Sequence, residues 1–173
     1  TAPTWTTMAG ALDATLECSD AAGIALAQAA LPVASDLCDV DVTNIVEVAG
    51  NFVPGMTCPQ DGTFTNTWTV TDACGNISPV YTQVITITDN TAPTWTTGAG
   101  ALNATLECSD AAGIAAAQAL IPVAIDLCDG DVTNIVEVSG AFVPGMTCPQ
   151  EGTYTNTWTV TDACGNISEV YNQ

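Results

Sequence analysis

Residues 63–72 read Thr63-Phe64-Thr65-Asn66-Thr67-Trp68-Thr69-Val70-Thr71-Asp72. Threonine fills every odd position through 71, while Phe64, Trp68 and Val70 occupy even ones. Side chains alternate between the two faces of a strand, so this period of two describes a β-strand with threonine outside and aromatic or aliphatic residues inside. β-branched and aromatic residues are also those that fit a pleated, half-buried surface. The string returns at 153–162 with Tyr154 in place of Phe64.

The same alternation extends outward. Leu12, Ala14, Leu16 and Cys18 alternate with Asp13, Thr15 and Glu17, giving a second strand with an acidic outer face. Residues 42–48 and 80–88 supply two more. Residues 20–32 differ: Ser19 or Asp20 can cap an Ala-rich helical turn or two that Pro32 ends. Turn signals stand at Val53-Pro54-Gly55-Met56 and Ala73-Cys74-Gly75-Asn76. Seven or so short strands of this kind predict an all-β fold, an immunoglobulin-like β-sandwich carrying a short helical turn in each repeat. Trp68 and Trp158 fall on the inward parity and are expected in the core. Trp5 and Trp95 are candidates for packing at a joint between modules.

Residues 1–83 recur at 91–173 with a constant offset of 90, no gap, and 70 of 83 positions identical. Most differences are mild, such as Asp13/Asn103, Asp61/Glu151 and Phe64/Tyr154; Val40/Gly130 is the clearest loop change. We read 1–90 as the first immunoglobulin-like repeat and 91–173 as the second, its last strand incomplete because Val84–Thr88 has no counterpart. The expectation is a window on a longer array of interchangeable units. An active site shared between two lobes would let the lobes diverge, and these have not.

Composition removes whole classes of function. The chain has no Lys, Arg or His but 19 Asp and Glu, a formal charge of −19. Nucleic acids and anionic membranes repel such a surface. Nucleophilic catalysis that needs His or Lys as base has no base here. Paired carboxylates can hydrolyse glycosides, yet no pair is marked by an apolar pocket, so no enzyme is expected. The longest apolar stretch, 21–34, is broken by Gly23, Gln28 and Pro32, which argues against direct membrane insertion. With 47% hydrophobic and 11% charged residues the chain should nevertheless fold. Trypsin-type proteases find no cleavage site. Asn76-Ile77-Ser78, Asn103-Ala104-Thr105 and Asn166-Ile167-Ser168 match glycosylation acceptors, a weak signal.

Each repeat holds four cysteines, at 18, 38, 58 and 74 and at 108, 128, 148 and 164. There is no Cys-x-x-Cys pair and no histidine to complete a zinc set. An even count per unit in a chain of secreted character reads as two disulfides per repeat.

Thr67-Trp68-Thr69-Val70-Thr71-Asp72-Ala73-Cys74-Gly75-Asn76, again at 157–166, is preceded by Asp-Leu-Cys-Asp at 36–39 and 126–129 and followed by Thr-Asp-Asn-Thr-Ala-Pro at 88–93. Together these resemble the hyalin-repeat (HYR-like) immunoglobulin-type modules that recur in very long adhesins of gliding bacteria. The resemblance implies an extracellular or bacterial cell-surface location, a possible tie to gliding motility, and no catalytic residues. The expected function is a structural repeat of an extracellular filament or adhesin stalk, disulfide-stiffened and joined head to tail. The alternative is a module that binds a glycan or protein through polar loops. Expected partners are adjacent repeats of the same chain, other copies in a fibre, and an unknown surface or glycan.

Four cysteines allow three pairings, and the sandwich topology favours one. If the strand at 63–72 pairs antiparallel with one starting near Val42, Cys74 meets Cys38 at one end while Cys18 and Cys58 share the other. The expected bridges are Cys18–Cys58 and Cys38–Cys74, repeated as Cys108–Cys148 and Cys128–Cys164. The joint at 87–93 is short and stiffened by Pro93. Acidic residues converge near it: Asp126, Asp129, Asp131, Asp162 and Asn166, with Asp89 and Asn90 from the linker. The first-repeat equivalents are Asp36, Asp39, Asp41, Asp72 and Asn76. Calcium takes about six to eight oxygens in irregular geometry, so these residues are candidate Ca²⁺ ligands. Asp and Asn also form turns on their own account.

Overall fold

The computed structural model describes residues 1–40, 42–130 and 132–173, and the chain divides into two compact units, Thr1–Asp89 and Asn90–Gln173. Asp41 and Asp131 of the candidate calcium sets lie outside the described residues.

Among the described residues the first unit contains seven strands and one helix: β1 (Thr4–Trp5), β2 (Ala14–Glu17), α1 (Ala21–Gln28), β3 (Ala34–Ser35), β4 (Ile45–Val48), β5 (Val53–Pro54), β6 (Gly62–Val70) and β7 (Tyr81–Thr88). The fold is all-β. A five-stranded sheet runs β2-β7-β6-β4, with β5 pairing the start of β6, and β1 and β3 form a separate two-stranded ribbon. The strand at 63–72 is the centre of this sheet. It pairs antiparallel with β7 from Gly62↔Ile87 to Trp68↔Tyr81 and with β4 from Ile45↔Val70 to Val48↔Thr67. β2 and β7 run parallel, Ala14 opposite Ile85 and Glu17 opposite Thr88.

The alternation holds where it was read. Asn66, Trp68 and Val70 are buried on β6, as are Tyr81, Gln83, Ile85 and Ile87 on β7. Trp68 and Trp5 both contact Tyr81 edge-on, with ring centroids 6.0 and 5.6 Å apart. Trp5 also donates its Nε1–H to Pro79 O at 2.7 Å, so this ring is anchored inside its own unit. α1 begins at an Asp20 cap whose carboxylate accepts the Gly23 N–H at 2.9 Å.

A buried polar pair crosses the core. Asn66 Nδ2 donates to Gln83 Oε1 at 3.1 Å, and Gln83 Nε2 donates to Leu12 O and Ala27 O at 2.6 and 2.9 Å. Gln83 therefore ties the central sheet to the entry of β2 and the end of α1. Asn66 Oδ1 in turn accepts the Gly50 N–H at 3.0 Å.

The second unit repeats this plan with β8 (Thr94–Trp95), α2 (Ala111–Gln118), β9 (Ala124–Ile125), β10 (Ile135–Val138), β11 (Val143–Pro144), β12 (Gly152–Thr153), β13 (Thr157–Val160) and β14 (Tyr171–Asn172). In the second unit residues 103–107 form no strand, and Leu106 is exposed where Leu16 is half-buried. Phe142 and Tyr154 are likewise more exposed than Phe52 and Phe64.

Candidate functional site

Strand register sorts the functional residues of the first unit by end of the sheet. Cys74 follows β6 and Cys38 precedes β4, whose Ile45 lies opposite Val70, so both occupy the end where β6 finishes. Cys18 follows β2 and Cys58 precedes β6, placing both at the other end, about 30 Å away at ~3.3 Å per strand residue. The chain enters beside the first pair, where Thr1 Oγ1 donates to Asp36 Oδ2 at 3.1 Å. It leaves beside the second, where the Asp89 N–H donates to Asp61 Oδ1 at 2.7 Å. A carboxylate oxygen of Asp89 lies within 4.8 Å of Cys18 Sγ, and one of Asp61 within 4.8 Å of Cys58 Sγ.

At the entry end, aspartates organise two turns. Asp36 Oδ1 accepts the N–H groups of Cys38 and Asp39 at 2.8 and 3.0 Å. Asp72 Oδ1 accepts those of Cys74 and Asn76 at 3.0 and 2.7 Å, and Asn76 Nδ2 donates to Asp72 Oδ2 at 2.7 Å. Asp39 Oδ2 joins the two turns by accepting the Ala73 N–H at 2.8 Å. Gly75, at φ +88°, supplies the left-handed residue the second turn needs. Hydrogen bonds to the charged form lower a carboxyl pKa. The Cys38 N–H, with help from Asp39 and Thr1 and against partial desolvation, holds Asp36 below the ordinary aspartate value. Asn76, chiefly through its side chain, does the same for Asp72 against desolvation and the opposing charge of Asp36.

The second unit reproduces these turns: Asp126 accepts from Cys128 and Asp129 at 2.7 and 2.9 Å, Asp129 from Ala163 at 2.9 Å, and Asp162 from Cys164 and Asn166 at 2.9 and 2.8 Å. The structure thus gathers Asp126, Asp129, Asp162 and Asn166, and in the first unit Asp36, Asp39, Asp72 and Asn76. Carboxylate oxygens of Asp126 and Asp162 lie within 4.8 Å of each other, and Asp126 Oδ2 is buried with no hydrogen bond among the described residues. Two such oxygens can contribute to a calcium shell. Asp89 belongs to the exit end of the first unit, buried beside Asp61, and Asn90 is exposed.

The cysteines depart from expectation. Cys18, Cys58, Cys128 and Cys164 are disulfide-bonded, whereas Cys38, Cys74, Cys108 and Cys148 carry free thiols. The expected Cys38–Cys74 and Cys108–Cys148 bridges are therefore not formed. Cys38, Cys74 and Cys108 are exposed, and Cys148 is half-buried.

Among known proteins, residues 6–87 match the model of the HYR-like domain with 4 cysteines. The match spans one repeat, and the second copy carries all four cysteines at the same spacing. None of the curated proteins matches the chain. Among solved structures, the crystal structure of Drosophila N-cadherin EC1-4 is similar at 12% identity with a TM-score of 0.37, over 99% of this chain and 48% of that one. This chain thus spans about half the length of that structure. Disulfides accumulate in oxidising compartments, and with the HYR-like match they fit an extracellular repeat. Among the described residues no helix is long and apolar enough to cross a membrane.

Proposed function

We propose that the chain is a structural repeat of an extracellular filament or adhesin stalk of a bacterial cell surface. The observation that carries this reading is the placement of chain entry and exit at opposite ends of one sheet, beside two separate cysteine pairs. Such a unit transmits tension along its strands, and near-identical copies extend length without adding chemistry. The HYR-like match of residues 6–87 supports an adhesion-type module. Immunogold labelling of intact source cells with antibody against a folded repeat should decorate extended structures outside the cell. Label confined to the cell interior contradicts the proposal.

A second role, cation binding, is favoured by the buried Asp126 Oδ2 beside Asp162. In this reading Ca²⁺ takes oxygens from Asp126 and Asp162 and completes its shell from the remaining members of the acidic set. Calcium should raise the melting temperature of the wild-type chain, and Asp126→Asn should abolish that increment. Equal melting curves in calcium and in chelator would exclude the ion.

A further inference from the structure

The oxidation states of the cysteines carry information because the two repeats provide an internal comparison. Around Cys38 and Cys74 and around Cys128 and Cys164 the hydrogen bonds coincide: the carboxylate-to-amide distances differ by no more than 0.1 Å between Asp36 and Asp126 at their cysteine N–H groups, and likewise between Asp72 and Asp162. The isolated antiparallel bridges Thr71↔Ile77 and Thr161↔Ile167 match as well. Yet one pair of cysteines is oxidised and the other is free. A bridge closed within the repeat would form in both copies or in neither. What decides the oxidation state therefore lies outside the repeat.

The free cysteines form two sets. Cys38 and Cys74, both exposed, stand at the entry end of the first repeat; Cys108, exposed, and Cys148, half-buried, correspond to the exit-end pair of the second. The counterpart of each set in the other repeat is disulfide-bonded, so both positions can form bridges in this fold. We propose that these sets are complementary halves of one covalent joint, in which Cys38 and Cys74 of one copy bond Cys108 and Cys148 of another, head to tail. This rests on the reading as an array-forming repeat and specifies how copies would be joined.

The chemistry is thiol–disulfide exchange. A thiolate of one copy attacks a small disulfide such as oxidised glutathione, releasing one glutathione; a thiol of the second copy then attacks the mixed disulfide and releases the other. Each joint disulfide costs one glutathione disulfide and yields two reduced glutathiones. Once the first bridge forms, closing the second is intramolecular and proceeds at high effective concentration. Two bridges also stop the rotation that one would allow. Repulsion between acidic copies must be screened, and at about 0.15 M salt the Debye length is only ~8 Å.

The test uses two variants of the whole chain, Cys38→Ser/Cys74→Ser and Cys108→Ser/Cys148→Ser, in a glutathione redox buffer with added salt. Wild type should give a ladder of covalent multimers on non-reducing gels. Each variant alone should stay monomeric, and their mixture should stop at a dimer whose linked peptides join 38 or 74 to 108 or 148. Circular dichroism of each variant checks that it is folded. Dimers of one variant with itself, or a wild-type monomer with Cys38 bonded to Cys74, overturn the proposal. Native fibres lacking these cross-linked peptides would defeat this joint while leaving the filament reading in place.

Discussion

At the residue scale, the fold depends on polar groups placed where the pattern calls for apolar ones. Asn66 and Gln83 occupy inward parities, Asn66 between Phe64 and Trp68 and Gln83 between Tyr81 and Ile85, and both are buried. Parity was the available signal, but residue type hid it, since Asn and Gln are usually found at surfaces and turns. Removing one partner of a buried network leaves the others unsatisfied, at roughly 1–3 kcal/mol per group. Gln83→Ala orphans the Asn66 amide and the carbonyls of Leu12 and Ala27, so urea denaturation should show a loss of about 3 kcal/mol. Asp36 and Asp72 make a pH prediction. Both titrate below the ordinary aspartate value of 3.8 when folded, so the unfolded chain takes up protons first as pH falls. Their contribution is whole above that value and is lost as pH drops through the lower folded values. The stability gap between wild type and Asp72→Ala should therefore be steady near neutrality and narrow below 3.8, as followed by urea midpoints. A gap independent of pH would mean the charge of Asp72 is not what its turn uses.

At the scale of elements, the period of two located β6 and β7 closely because both faces of a central strand are constrained by neighbours. The expected strand over 63–72 is Gly62–Val70, and the one over 80–88 is Tyr81–Thr88. β2 was legible as a strand, but its parallel pairing with β7, some 70 positions along the chain, was not, because periodicity says nothing about partners. The cysteines were harder to read: topology placed Cys38 with Cys74 and Cys18 with Cys58 at the two ends of the sheet, but did not show that Cys38, Cys74, Cys108 and Cys148 carry free thiols. Adding Val-Ile-Thr-Ile-Thr after Gln173 should convert residues 104–107 into a strand and rebury Leu106. The two isoleucines correspond to Ile85 and Ile87, which are 0% and 4% exposed. At about 1.5–3 kcal/mol for each buried side chain, the second repeat should gain roughly 3 kcal/mol, with new amide-exchange protection at 104–107. No added protection there would show that the parallel pair is not what orders this segment.

At the scale of the whole molecule, the features converge on mechanical continuity. Entry and exit at opposite ends of a sheet, copies with 70 of 83 positions identical, and cysteines concentrated at those ends all suit a unit repeated along a line. The missing cations also suit exposure, because trypsin-type proteases have nowhere to cut. The most direct test of the filament claim is electron microscopy of the native protein released from its source cells. The account predicts thin fibres with an axial period near ~40 Å, set by strands rising about 3.3 Å per residue. Compact particles without an axial period would contradict it.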